Sequence, residues 1–460
     1  MKLLAILACA AAAFAQQAPS AIPKIKFTDT RLDNGLRVLI SEDHYAPVYA
    51  IAVAYKVGSK DERPGRTGFA HLFEHMMFKG SENVGMGELD FLIFTNGGNS
   101  NGTTNTDRTS YFEVLPRNQL DLGLFLEADR MRGLVITAEN LENQRQAVKE
   151  ERRLSGDNMA YGNTSEKLEE LVYDNFAYHH SVIGSMADLD AASVDDVKQF
   201  FKTYYAPNNA VVALVGDLDT KDTLAKVKQY FGNIPRQTPP VPADLTEKAR
   251  DGERRGKLDD PLARLTRIDL AWPIPPSNTP EARALTSAAQ ILGGGGGFGG
   301  RGGGGGGGNN SRLYLKLVQE KELVTNVSCN TDRRVGPGMF HISATLRPGK
   351  TAGEVEGLIG EEIARLHAEP VTDKELARVR INIRRGAESR LTALSRAQAL
   401  ADAAAVFDDP NKVNTDSDLQ LAVTAADIQR AAKAHLLTAN RVVLVTNPVA
   451  GAQPGGRKGR

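Results

Sequence analysis

The second half of the chain replays the first, and this limits the fold more than any local pattern does. From Ser193 and from Thr424 the two halves run together at a constant offset. Asp196 meets Asp427, Val197 meets Ile428, Lys202 meets Lys433, Asn209 meets Asn440, and Val211-Val212 meets Val442-Val443. Thr137, Leu141 and Arg145 meet Thr372, Leu376 and Arg380 in the same way. Two matches in one order point to duplication of a single unit. Strand-like runs at 36–40, 48–57 and 209–215 alternate with helix-like spacing at 118–132, 138–155, 164–176, 193–205 and 219–232. The expected fold class is α+β, with related domains over residues 27–233 and 263–448. Between them, Pro235, Pro239, Pro240 and Pro242 precede a charged stretch at 247–260, so residues 234–262 read as an exposed linker.

The ends and one insertion fall outside this plan. Lys2, an apolar run at 3–14 and the small residues of Ala13-Phe14-Ala15 before Gln16 read as an export signal over residues 1–15. That run is too short to span a bilayer. The expected location is periplasmic or extracellular, with residues 16–26 as a loose leader. A lipid anchor at Cys9 is the rival reading, although few residues precede it. Loss of residues 1–15 would leave Cys329 alone, which excludes an intrachain disulfide. No later segment approaches a membrane span. Lysine plus arginine equal aspartate plus glutamate at 56 each, so no global charge draws the chain to nucleic acid. Residues 293–308 are nearly all glycine, interrupted by Phe298 and Arg301, and read as a mobile loop. Residues 449–460 read as a disordered tail.

The chemistry concentrates in one helix. Phe69, Leu72, Phe73, Met76 and Met77 follow the spacing i, i+3, i+4, i+7, i+8 and form an apolar face. His71, Glu74 and His75 lie on the other side. Two histidines four apart project on one helix face and can hold one metal, and the glutamate beside them is placed as a base rather than a ligand. A catalytic zinc takes three protein ligands and leaves the fourth position to water. The third ligand must come from elsewhere. The stretch 138–155 offers Glu150 and Glu151, which sit about 100° apart on a helix, and spacing alone does not choose between them.

The run Gly68-Phe-Ala-His-Leu-Phe-Glu-His-Met-Met-Phe-Lys-Gly80 resembles the signature of the pitrilysin/insulinase family, which includes mitochondrial processing peptidases and bacterial two-chain relatives. Asn34-Gly35-Leu36 and Gly58-Ser59 fit the same pattern, and the resemblance covers nearly all of residues 27–447. It implies two homologous α/β-roll domains in a clam-like arrangement and one zinc ion per chain. It implies that His71, His75 and Glu151 are the ligands, the glutamate lying directly before Arg152-Arg153, with Glu74 as catalytic base and Glu150 facing outward. A further glutamate common in relatives is Gln144 here. The run Asn101-Gly102-Thr103-Thr104 resembles the family's substrate-pairing edge strand. The second half should carry no metal, since Gly386 is the counterpart of Glu151. An arginine and a tyrosine that relatives place in this half read Gln319 and Thr325. The expectation is a zinc endopeptidase acting on peptides or unfolded segments, with a homologous partner subunit supplying the missing pair. The other expectation is a non-catalytic scaffold or peptide-binding subunit like the respiratory-complex core proteins, whose metal motifs are usually degraded.

Overall fold

A computed structural model describes residues 22–248, 250, 252–294, 308–389 and 391–449. The expected export signal with Cys9, most of the glycine-rich run and nearly all of the tail lie outside the described residues.

Two sheets carry the duplication. The first has β1 (Thr28–Arg31), β2 (Arg37–Glu42), β3 (Val48–Tyr55), β4 (Asn99–Thr104), β5 (Thr109–Pro116) and β6 (Ala210–Gly216), in the order β1-β2-β6-β3-β5-β4. The second has β7 (Arg254–Asp260), β8 (Arg267–Ile274), β9 (Val324–Asp332), β10 (Gly338–Leu346) and β11 (Val442–Pro448), in the order β7-β11-β8-β10-β9. If β1 is set aside, the orders superpose strand for strand. In both, one outer pair is parallel, β2 with β6 and β7 with β11, and the remaining pairs are antiparallel.

The helices follow the same plan. The first half has α1 (Phe69–Met76), α2 (Glu88–Thr95), α3 (Leu120–Arg132), α4 (Ala138–Arg152), α5 (Thr164–Val172), α6 (Met186–Asp190), α7 (Val194–Tyr204) and α8 (Thr220–Phe231). The second has α9 (Pro280–Gly293), α10 (Ala352–Ala368), α11 (Asp373–Glu388), α12 (Ala393–Phe407), α13 (Lys412–Leu421) and α14 (Ala425–His435). Some of the residues that revealed the repeat are helix caps. Ser193 with Asp196 and Thr424 with Asp427 form reciprocal capping boxes at the starts of α7 and α14. Thr137 and Thr372 cap α4 and α11.

Strand β3 shows how the halves hold together. Tyr49, Ile51, Val53 and Tyr55 point into the main core with the helices of the first half. Ala50, Ala52 and Ala54 point the other way and pack on Ala397, Leu400, Ala401 and Ala404 of α12, a helix of the second half. Alternation of large and small side chains lets a helix lie close on the back of the sheet, and burial on both faces explains the unbroken apolar run. The exchange is mutual. Leu168 and Val172 of α5, from the first half, pack on Ala271, Met339, Val442 and Leu444 of the second sheet. Arg334, buried, pairs with Glu169 of α5 at 2.6 Å and lies over the rings of Tyr173 and Tyr178.

Three expectations need correction. The 234–262 linker is not wholly linker, because Arg254–Asp260 is a strand pairing with β11 along its whole length. Its charge misleads because it is a sheet edge, where charged residues are the norm. The leader is not loose over its described part. Ile25 exchanges two hydrogen bonds with the Asn414 side chain, 2.8 and 2.9 Å, and packs beside α12. The glycine-rich segment also begins later than its composition suggests, since Gly293 is the buried last residue of α9. Among the described residues no helix is long and apolar enough to cross a membrane.

Candidate metal centre

Helix α1 starts at Gly68, whose φ of +85° belongs to the left-handed region, and a Cβ there would lie 2.5 Å from the Ile183 carbonyl oxygen. The backbone N–H groups of Gly68 and Ala70 donate to the Glu62 carboxylate, each at 2.8 Å. Glu62 thus caps α1 and fixes where it begins. Sequence reasoning missed it because it precedes the helix by more than a capping box does. Phe69, Ala70, Leu72, Phe73 and Met76 anchor the helix in the core, leaving His71, Glu74 and His75 toward the open side.

Helix α4 supplies the facing wall. Leu141, Gln144 and Val148 are its buried residues, and Glu151 continues that stripe at roughly 100° per residue. Glu150 lies on the opposite side, more than half exposed, and pairs with Arg153 at 3.0 Å. Arg152 locks the rotation by donating to Gly184 O at 2.6 Å and Glu166 at 2.9 Å. His71 Nε2 lies 3.5 Å and His75 Nε2 3.4 Å from the same Glu151 oxygen, Oε2. One donor atom from each residue lies within 4.8 Å of the others.

These residues fit a zinc ion. Donors about 2.1 Å from a tetrahedral centre stand about 3.4 Å from each other, close to the separations found. The donor set, two imidazoles and a carboxylate, is that of a catalytic rather than a structural zinc. Burial and the neighbouring His75 push His71 down to about 4, so its ring is neutral near pH 7, as a ligand must be.

Glu74 stands beside the triad. Burial lifts its carboxyl above the ordinary range, while the Thr104 hydroxyl, donating to Oε2 at 2.6 Å, and His75 draw it back. The cleft in front measures about 400 Å³ and is lined by Glu74, His75, Phe78, Phe94, Asn101 and Gln144 among others. Strand β4 is the sheet edge beside it, pairing on one side with β5. Gly102 is where the strand approaches Glu74, and a Cβ there would lie 3.0 Å from Glu74 Cγ and 3.2 Å from Oε1. Of the three residues expected to meet substrate, Asn101 lines the cleft and Gly102 touches Glu74. Thr103 is already engaged, because Arg108 donates to its carbonyl at 2.8 Å and to its hydroxyl at 2.6 Å, and also binds Asp402 of α12. We expect Gly102→Ala to crowd the Glu74 side chain, lowering any peptide turnover about tenfold while shifting Tm by less than about 3 °C. Steady-state kinetics and a thermal melt check this.

The insulinase (peptidase family M16) model matches residues 37–185, and the peptidase M16 inactive domain model matches residues 191–383. The chain belongs to the M16 peptidase family. The zinc protease PqqE of Helicobacter pylori is 27% identical over 433 residues, 92% of this chain and 93% of that protein. A protease from Helicobacter pylori of known crystal structure superposes with a TM-score of 0.85 at 26% identity, covering 92% of this chain and 100% of the other. The probable mitochondrial-processing peptidase subunit beta of Schizosaccharomyces pombe is 25% identical over 217 residues, 47% of each chain. The fold is the two-domain, clam-like arrangement of M16 peptidases. In this family member the first model ends at Ser185, past all four residues of the centre, and the inactive-domain model covers most of the half that lacks them.

Proposed function

We propose that the chain is a zinc-dependent endopeptidase acting on peptides or unfolded segments, with His71, His75 and Glu151 as metal ligands and Glu74 as the catalytic base. The observation that carries this is the convergence of the three donor groups beside a half-buried carboxylate and an edge strand. Zinc, when bound, would polarise the scissile carbonyl and acidify a coordinated water. An extended peptide would add to β4 through main-chain hydrogen bonds, which read backbone rather than side chain. Glu74, steadied by Thr104, would accept the water's proton and pass it to the departing amine. Phe78 and Phe94 would give one substrate side chain an apolar wall.

The scaffold reading is weaker because the donor set is complete. The inactive-domain likeness falls mainly on the second half, where Gly386 replaces the metal ligand.

A homologous partner subunit is part of the proposal. Gln319 and Thr325 stand where relatives resembling this chain carry arginine and tyrosine, and both are exposed. The relative named as a processing-peptidase subunit supports a two-chain enzyme. We also read the chain as exported, on the apolar run behind Lys2. The test is hydrolysis of a quenched-fluorescence peptide by the chain alone and by the chain with its co-purifying partner. We expect o-phenanthroline to abolish the activity and zinc to restore it, with at least about tenfold more activity in the complex. Full activity of the isolated monomer would contradict the partner; activity unaffected by chelation would contradict the peptidase assignment.

A further inference from the structure

The half without metal ligands keeps the cleft. Thr286, Ala289 and Gln290 on α9 repeat the spacing of His71, Glu74 and His75 on α1, and they line one cavity of about 670 Å³ together with Gly386. Gly386 is the repeat counterpart of Glu151. Strand β9 forms the cavity wall with Asn330 and Thr331, as β4 does in the first half. The constellation is thus preserved in position, with each ionisable group replaced by a neutral one, and the glutamate replaced by a residue with no side chain.

The charge has reversed as well. The first cleft is lined by Glu74 and Asp90 with Lys79 and His75. The second is lined by Arg333, Asn382 and Arg385, with no carboxylate among its described lining residues. Arg385 is exposed on α11, one position before Gly386. Arg333 is held in place by donating to Ser277 O at 3.2 Å. Two guanidinium groups among amide and hydroxyl side chains match a planar anion that accepts several hydrogen bonds.

We propose that this cleft binds the carboxylate groups of a peptide, from an acidic side chain or a free C-terminus, and so serves as a second anchoring site away from the metal centre. That the ligand is a peptide rests on the peptidase reading; the preference for an anion rests on this cleft alone. The cleft needs no metal, because the groups that bind are permanently charged.

The test is fluorescence anisotropy on the Glu74→Gln protein, which keeps the peptide uncut. Three labelled twelve-residue peptides share one neutral sequence: one amidated at the C-terminus, one amidated but carrying three glutamates, and one neutral with a free C-terminus. We expect the glutamate peptide, the free C-terminus peptide or both to bind about tenfold more tightly than the neutral amidated one. Whichever peptide gains identifies the source of the carboxylate. Arg385→Glu should erase this preference and leave the affinity for the neutral peptide within about twofold. Gly386→Glu, which puts a carboxylate back into the cavity, should weaken it in the same direction. Equal affinity for all three peptides, or a preference that survives Arg385→Glu, would overturn the carboxylate site and leave the peptidase reading standing. Absence of binding by any peptide would also overturn the carboxylate site, while the peptidase reading is judged separately by the chelation test of activity.

Discussion

Replacing Glu74 with glutamine is expected to lower peptide turnover by about two to four orders of magnitude while the metal content stays near one zinc per chain. The amide keeps the shape of the side chain and can still meet the Thr104 hydroxyl, now 2.6 Å from Oε2. Glutamine cannot take a proton from water. Because Glu74 is not one of the three converging donors, the ligand geometry should survive. Glutamine also removes the cost of burying a charge at this position, so the variant should melt at or above the parent temperature. Kinetics, metal analysis and a thermal melt separate the outcomes. Normal turnover would remove Glu74 from the mechanism, and loss of zinc would make it a ligand.

The second large effect separates two adjacent glutamates. Glu151→Ala should weaken zinc binding by at least about a hundredfold and abolish activity without added metal. Glu150→Ala should change neither by more than about twofold, because it removes an exposed pair with Arg153. The reason is helix geometry. Leu141, Gln144 and Val148 mark the buried stripe of α4, and Glu151 extends it while Glu150 points away. Competition with a chromogenic zinc chelator measures the affinities. Equal effects of the two substitutions would mean that α4 is rotated from the position described.

Much of this was legible before the structure. The duplication showed itself because helix caps and buried strand valines are fixed by backbone geometry, as at Ser193 and Thr424 or Val211 and Val442. His71, Glu74 and His75 were legible because an amphipathic period separates residues that pack from residues that do not. The choice of Glu151 over Glu150 came from family resemblance, because two adjacent glutamates leave open which side of the helix turns inward until the buried stripe of Leu141, Gln144 and Val148 is seen. Other features could not be read. Strand β7 is hidden because an edge strand with one partner needs few apolar residues. Nothing local in Thr164–Val172 or Ala393–Phe407 says that each packs on the other half's sheet, because helix periodicity identifies a buried face but not its partner. Glu62 and Thr104 act on the centre across gaps of six to thirty residues, which no short motif spans.

The central claim is a single metal centre built from α1 and α4. Anomalous diffraction at the zinc edge, from crystals of the purified chain grown without added metal, tests it most directly. One peak should appear, about 2.1 Å from the coordinating atoms of His71, His75 and Glu151, and should vanish after chelation. Absence of any peak after zinc is supplied, or a peak held by Glu150 or by residues of the second half, would contradict it.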